Sequence, residues 1–260
     1  MTEAESVPIE DAATVVLLRD GAAGIETWLL TRVRNMAFAG GMTVFPGGRL
    51  DDADADLPFA PSADADLEEL ANRFGTDSVV ARRLVGAAVR ETFEETGVLL
   101  TVPAADLADA RSAVEAGTLS FGDLLREHQL AVDGSHLRPW SRWVTPPNQV
   151  RRYDTRFFLA ALPDGAQPAD VTSESTHAGW VSVADAIELA RRGERRLLPP
   201  TLMTLASLQS FGTVADALTA SEDRVLDAVR PTISIDDATG DLTAVLPDGT
   251  SLTVPGSMFR

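Results

Sequence analysis

Hydrophobic and polar positions divide this chain into a series of short, well-marked elements. Residues 13–18 form an unbroken run of Ala, Thr, Val and Leu, glycines at 21 and 24 mark a turn, and residues 25–32 resume an apolar run. That pattern predicts two strands joined by a tight connection. Over residues 77–95 apolar positions recur at helical spacing, with Val89 and Phe93 on one face and Gly97 placed to cap the end. Shorter amphipathic helices are predicted over 104–115 and 121–129. Residues 153–162 read as a half-buried or central strand, with Phe157, Phe158 and Leu159 entering the core. A short strand at 180–183 follows, and Ser182 is suited to cap a helix over 184–192 with Asp185 in its first turn. Pro199 and Pro200 open a further helix reaching about Phe211. Residues 242–254 alternate on either side of Asp248-Gly249, the pattern of a β-hairpin. A lone hairpin is marginal in water, so it must dock on its own domain or across the interface of a homodimer. Strands interleaved with helices in this order predict an α/β sandwich, helices on both faces of a mixed sheet.

Composition narrows the classes of function. The chain has 260 residues, 45% of them hydrophobic and 23% charged, enough for one sizeable core. No apolar run approaches the roughly 20 residues of a membrane helix, so no membrane partner is expected. The acidic start, Met1-Thr2-Glu3-Ala4-Glu5-Ser6, lacks a secretory pattern, and Ser257-Met258-Phe259-Arg260 is not a peroxisomal address. The expected location is cytoplasmic. With no cysteine, disulfides, thiolate nucleophiles and cysteine zinc sites are excluded. All 22 basic residues are arginine, which also excludes a P-loop lysine and a Schiff-base lysine. A net charge of −17 argues against binding nucleic acid through its phosphates.

The most informative stretch is Ala88-Val89-Arg90-Glu91-Thr92-Phe93-Glu94-Glu95-Thr96-Gly97-Val98. On a helix, Glu91, Glu94 and Glu95 stand at i, i+3 and i+4 and project from one face. Three like charges so close repel each other, and a bound cation relieves the cost. Oxygen-only ligands suit Mg²⁺ or Mn²⁺, which prefer a few carboxylates, waters and phosphate oxygens. The bland alternative is a solvated acidic helix. The upstream Val44-Phe45-Pro46-Gly47-Gly48 favours the metal reading, because the two pieces together resemble the Nudix box of the Nudix hydrolase superfamily. The resemblance implies a glycine loop and a cation-binding helix that hold a nucleoside diphosphate linked to another moiety. By position, Glu91, Glu94 and Glu95 become the metal ligands. Arg90 becomes the buried residue that orients them, and the Gly47 and Gly48 backbone approaches the diphosphate. Nudix domains are α/β/α sandwiches around a mixed sheet, in agreement with the pattern of elements.

The box is split. Between Gly48 and Arg90 lie 41 residues, far more than the family pattern has. Arg82 takes the place of the family's earlier glutamate, and Asp51 and Asp52 are the carboxylates nearest the glycine loop that could substitute. Residues 51–76, rich in Asp, Ala and Pro, read as a surface excursion. With Leu50-Asp51-Asp52-Ala53-Asp54 after the glycines, this arrangement resembles a long-insert branch that includes the peroxisomal coenzyme A diphosphatase of animals. Leu137-Arg138-Pro139-Trp140-Ser141-Arg142-Trp143-Val144-Thr145-Pro146, then Arg151-Arg152-Tyr153-Asp154-Thr155-Arg156-Phe157-Phe158-Leu159, resembles the same branch. Trp140 and Trp143 either stack on a base or pack the core. Arg151 and Arg152 either meet phosphates or form a surface pair. Arg32, Trp143, Arg151 and Arg152 complete the expected substrate contacts. Glu174, six residues before Trp180, is either a ligand or general base, as in several relatives, or an exposed loop residue. His128, His136 and His177 show no spacing that suggests a triad.

These readings imply a Nudix domain at 8–212, and a C-terminal extension of a helix and the hairpin at 213–260. They also imply a diphosphatase using Mg²⁺ or Mn²⁺ on a small-molecule diphosphate, with coenzyme A or an acyl derivative foremost. ADP-ribose, NADH and nucleotide sugars are the alternatives. A catalytically idle nucleotide-binding module of the same fold, or an assembly protein docking through its acidic helix, are readings from other classes.

Overall fold

A computed structural model describes residues 7–34, 39–147, 149–169 and 175–254. In chain order the first elements are β1 (Ile9–Gly21), β2 (Gly24–Arg32), β3 (Thr43–Val44), β4 (Gly47–Arg49), α1 (Ala63–Phe74) and α2 (Ser78–Thr96). Then come β5 (Thr101–Val102), α3 (Arg111–Glu115), α4 (Phe121–Glu127), β6 (Ala131–Val132), β7 (Arg138–Val144), β8 (Arg152–Ala161) and β9 (Ser175–Ser182). The chain continues through α5 (Val183–Arg191), α6 (Pro199–Leu208), α7 (Val214–Ala220), β10 (Ala228–Val229), β11 (Thr232–Ile235), β12 (Leu242–Val245) and β13 (Ser251–Val254).

A mixed sheet runs in the order β10-β7-β8-β1-β2-β3, with β4 paired to β1 and β9 to β2. β1 lies parallel to β8 and antiparallel to β2 and β4. Its apolar run is buried on both faces, as a central strand requires. Ala13, Val15 and Leu17 join a core under α1–α4, whereas Val16 and Leu18 join a second core under α5–α7. The result is the expected α/β/α sandwich. All three of Phe157, Phe158 and Leu159 are buried, on alternate faces of β8.

The insert is not a surface excursion. Its α1 places Ala63, Leu67, Leu70, Ala71 and Phe74 on one buried stripe, at helical spacing, and packs them against the core that holds α2. Phe74 meets Phe158 edge to face at 5.7 Å. The acidic residues between those positions mask the stripe when composition alone is read. The other boundary changes are small. The helix expected over 104–115 starts late, because Asp106 accepts from Ala108 N–H (3.1 Å) and begins a turn there. β9 begins at Ser175 rather than 180, since it pairs with β2 along Glu26–Arg32 through backbone groups that need no side-chain alternation. Ser182 caps α5 as expected, accepting from Asp185 N–H at 3.0 Å. The C-terminal hairpin gains β11 as a third strand, and Leu246 enters the second core, so the small sheet docks on its own chain.

Candidate active site

α2 starts where the Asp77 carboxylate accepts from Val80 N–H at 2.8 Å, and ends at Gly97, whose φ of 77° lets its N–H reach Phe93 O at 2.7 Å. Val89 and Phe93 are fully buried, which turns Glu91, Glu94 and Glu95 toward the glycine loop. That loop is held by β4, where Thr14 of β1 faces Gly47 and Ala13 faces Gly48. The two pieces of the split box meet directly. Gly47 N–H donates to Glu95 Oε2 at 2.8 Å.

Contacts within the chain crowd both glycines. A Cβ at Gly47, whose φ is 155°, would stand 2.4 Å from Ala13 O and 2.7 Å from Thr14 Cα. A Cβ at Gly48 would stand 2.4 Å from the Glu91 carboxyl carbon. Gly48 therefore makes the space in which the Glu91 carboxylate lies.

Arg90 holds the carboxylates together. Its Nη1 donates to Glu91 Oε1 at 2.7 Å and to Glu94 Oε1 at 3.4 Å, and its Nη2 donates to Arg49 O at 3.0 Å. The rest of the guanidinium is taken by a residue the sequence did not single out. Asp54 receives Arg90 Nε at 2.7 Å on Oδ1 and Nη2 at 3.1 Å on Oδ2, a two-pronged ion pair, and is 1% exposed. Burial works against the charge on Arg90. The Asp54 hydrogen bond and the charges of Glu91, Asp54 and Glu94 outweigh it, so the group stays protonated more firmly than an ordinary arginine.

Asp54, rather than Asp51 or Asp52, thus faces Arg90 from the insert. Asp51 caps the short 3₁₀ turn Asp52–Asp56, and its N–H donates to Asp54 Oδ2 at 2.7 Å. Asp52 is exposed and pairs with Arg83. A signal was present: Asp51-x-x-Asp54 has the form of a capping box. Arg82 has a different task. Its Nε donates to Ala55 O at 2.9 Å and its guanidinium lies 3.9 Å over the Phe59 ring, pinning the insert to α2.

A cavity of about 620 Å³ opens at this face, lined by Glu91, Glu94, Glu95, Arg32, Arg151 and Trp143, with both glycines of the loop. Arg152 is not on its wall and donates to Thr145 O at 3.2 Å. Trp140 is not a stacking platform. It is 1% exposed, donates from Nε1 to Ser207 Oγ at 3.2 Å and lies under Arg224. Tyr153 and Thr155 of β8 line the cavity and were not anticipated. Glu174 lies outside the described residues.

The donor set has the right chemistry for a hard divalent cation: three carboxylates, all oxygen donors, beside a backbone loop without side chains. Among the described residues no three acidic or histidine groups converge as a ready-made cage. The reason is local. Arg90 supplies the positive charge between Glu91 and Glu94, and Glu95 is bonded to Gly47.

Glu94 carries the electrostatic strain of the face. Burial first, and the neighbouring Glu91 charge second, push its carboxyl up to about 7, against the lowering effect of Arg90. Between its ordinary value and about 7 the folded state holds more protons than the unfolded one, so raising pH through that window costs stability. In metal-free protein the thermal midpoint is therefore expected to fall between pH 5 and pH 8 more steeply in wild type than in Glu94→Gln. The underlying difference in stability is at most on the order of a few kcal/mol, since each tenfold change in proton affinity corresponds to about 1.4 kcal/mol and solvent screens the partly exposed carboxyl. Parallel pH profiles for the two proteins would refute it.

A family model described as the NUDT19 Nudix domain matches residues 60–208. The chain belongs to the Nudix hydrolase family. The match begins inside the insert and takes in the whole metal-type helix, while the glycine loop lies before it. This Nudix chain is 28% identical to the acyl-coenzyme A diphosphatase NUDT19 of Gallus gallus, over 94% of its own length and 78% of the relative's. It is also 28% identical to the protein of that name from Homo sapiens, over 92% and 75%. The crystal structure of a Nudix hydrolase from Alicyclobacillus acidocaldarius superposes with a TM-score of 0.68 at 30% identity, covering 82% of this chain and 96% of that one. Nudix hydrolases act on diphosphate bonds and generally need divalent metal ions.

Proposed function

We propose that this Nudix hydrolase cleaves the diphosphate of coenzyme A or of an acyl-coenzyme A, using Mg²⁺ or Mn²⁺. The observation that carries the reading is the continuous cavity that joins the Glu91–Glu94–Glu95 face to Arg32 and Arg151, wide enough for a ligand larger than a diphosphate. The relatives named above as acyl-coenzyme A diphosphatases support the choice of substrate.

Glu91, Glu94 and Glu95 would hold the cations, which when bound neutralise phosphate charge and make water a better nucleophile. Arg90 keeps the first two carboxylates in a fixed fan, and Asp54 keeps Arg90 from turning away. The Gly47 N–H fixes Glu95 against the glycine loop. Arg32 and Arg151 lie on the cavity wall and would meet phosphate oxygens. The reaction is water attack on one phosphorus of the anhydride. A new P–O bond forms, the bridging P–O bond breaks, and the water proton leaves to a base. The products are adenosine 3′,5′-bisphosphate and a 4′-phosphopantetheine or its acyl derivative.

The test is product release from coenzyme A, acetyl-coenzyme A, ADP-ribose, NADH and UDP-glucose, with Mg²⁺, with Mn²⁺ and with a chelator. Metal-dependent formation of adenosine 3′,5′-bisphosphate, with kcat/KM at least about tenfold above that for the other compounds, is expected. Preferred cleavage of ADP-ribose, NADH or the nucleotide sugar would overturn the substrate. No turnover, with a cation-dependent thermal shift in a nucleotide's presence, would turn the enzyme into a binding module.

A further inference from the structure

The wall of the cavity is completed from beyond the stretch that the family model matches. Pro231 and Ile233 line the same space as the three glutamates. They are brought there by a segment that is anchored step by step. Val214 N–H donates to the Asp20 carboxylate at 2.8 Å, so α7 is tied to the end of β1. Arg73 of the insert donates to Ser221 O at 2.7 Å and to Arg224 O at 3.3 Å. Arg224 in turn donates to Trp140 O at 2.9 Å and covers the Trp140 ring at 3.6 Å. β10 then joins the main sheet parallel to β7, with Ala228 facing Arg142 and Val229 facing Trp143. Two residues later Pro231 is buried, and Ile233 is half-buried opposite the fully buried Ala244.

Register sets this placement. Trp143 and Val144 of β7 line the cavity, and β10 runs beside them. The side chains added by the segment carry neither donor nor acceptor, and Pro231 lacks even a backbone N–H. A nucleobase is selected through hydrogen bonds to its edge, which Pro231 and Ile233 have no means of making. An alkyl chain asks only for apolar surface.

We propose that the segment from β10 to β11 is part of the ligand cavity, and that Pro231 and Ile233 form a subsite for the acyl chain of a thioester-linked coenzyme A derivative. The inference rests on the coenzyme A reading above and adds a preference among its acyl forms. The end of the chain beyond the matched family region then sets which substrate is favoured, while the α2 carboxylates perform the hydrolysis.

The experiment is a chain-length series of coenzyme A, acetyl-, hexanoyl- and decanoyl-coenzyme A, assayed with wild type, Ile233→Ala and Ile233→Asp. Wild-type kcat/KM is expected to rise with chain length. Ile233→Asp should lose roughly tenfold or more on the decanoyl substrate, as losing a few apolar contacts in such a pocket does, and distinctly less on coenzyme A itself. Ile233→Ala should show the same trend at smaller size, and it guards against misfolding of the small sheet by Asp. The loss should lie in KM rather than kcat, because the chain is remote from the reacting phosphorus. Equal losses on every substrate, or none, would overturn the subsite while leaving the coenzyme A reading intact. A wild type that cleaves no coenzyme A compound would overturn both.

Discussion

Replacing Asp54 by alanine is expected to lower both stability and turnover, although Asp54 stands 36 residues before Arg90 and outside either half of the split box. The Asp54 carboxylate is buried and meets Arg90 through two hydrogen bonds. Removing one member of such a pair leaves a charge in a poorly solvated place, at roughly 3–5 kcal/mol. Arg90 keeps Glu91, Glu94 and the Arg49 carbonyl, so the lower end of that range is expected. For a chain of this size that is a fall of about 6–12 °C in Tm. Turnover should fall about 10–100-fold, the usual loss when the group that orients a metal ligand is removed. Asp54→Asn separates the two tasks of the residue. It can still accept from Asp51 N–H, so the turn survives, but it cannot match the charge of Arg90. Its activity should therefore resemble that of Asp54→Ala while its Tm lies between. An Arg90→Ala, Asp54→Ala double variant should lose little more than Arg90→Ala alone, because the two act as one unit. A fully active Asp54→Ala protein with unchanged Tm would refute the arrangement.

Only part of this arrangement was legible in the sequence. α2 could be read because its apolar and acidic faces are separated at helical spacing and its ends carry Asp77 and Gly97. β1, β2 and β8 could be read because a strand buried on both faces announces itself as an apolar run. The capping pattern marks Asp54 as a turn residue, but its role at Arg90 could not be read, because that partner is distant in sequence and Asp51, Asp52 and Asp56 surround it with the same chemistry. α1 was hidden in a similar way: Asp64, Asp66, Glu68 and Glu69 dominate a stretch whose buried stripe is small Ala and scattered Leu. Trp140 and Trp143 differ by burial context alone. The main sheet sets one against Ser207 and Arg224 and the other beside the cavity, and no local pattern distinguishes those fates. Pro231 and Ile233 were invisible for a further reason. Their place depends on β10 pairing with β7, a contact between strands far apart in sequence that is carried by backbone groups.

The three glutamates are expected to behave alike in turnover and unlike in stability. Glu91→Gln, Glu94→Gln and Glu95→Gln should each reduce kcat by at least about 100-fold, since a lost ligand costs no less than the roughly 10–100-fold of an outer-shell partner. Metal-free Glu94→Gln should be no less stable than wild type at pH 8, because it relieves a carboxyl that burial disfavours. Glu95→Gln keeps an acceptor for Gly47 N–H and should fold normally, whereas Glu95→Ala releases the glycine loop from α2. The glycines give a sharper test, because they alter carboxylate geometry without removing a charge. In Gly48→Ala the three atoms nearest the new methyl all belong to the end of the Glu91 side chain, which can swing away at little cost to the fold. Its turnover should nonetheless fall as far as that of Glu91→Gln. In Gly47→Ala the methyl meets the β1 backbone at Ala13 and Thr14, which cannot move without opening the sheet, so Tm should drop by several degrees. Steady-state kinetics and thermal melts of these two alanine variants separate the roles. A Gly48→Ala protein with normal kcat would show that the position of the Glu91 carboxylate does not control the reaction.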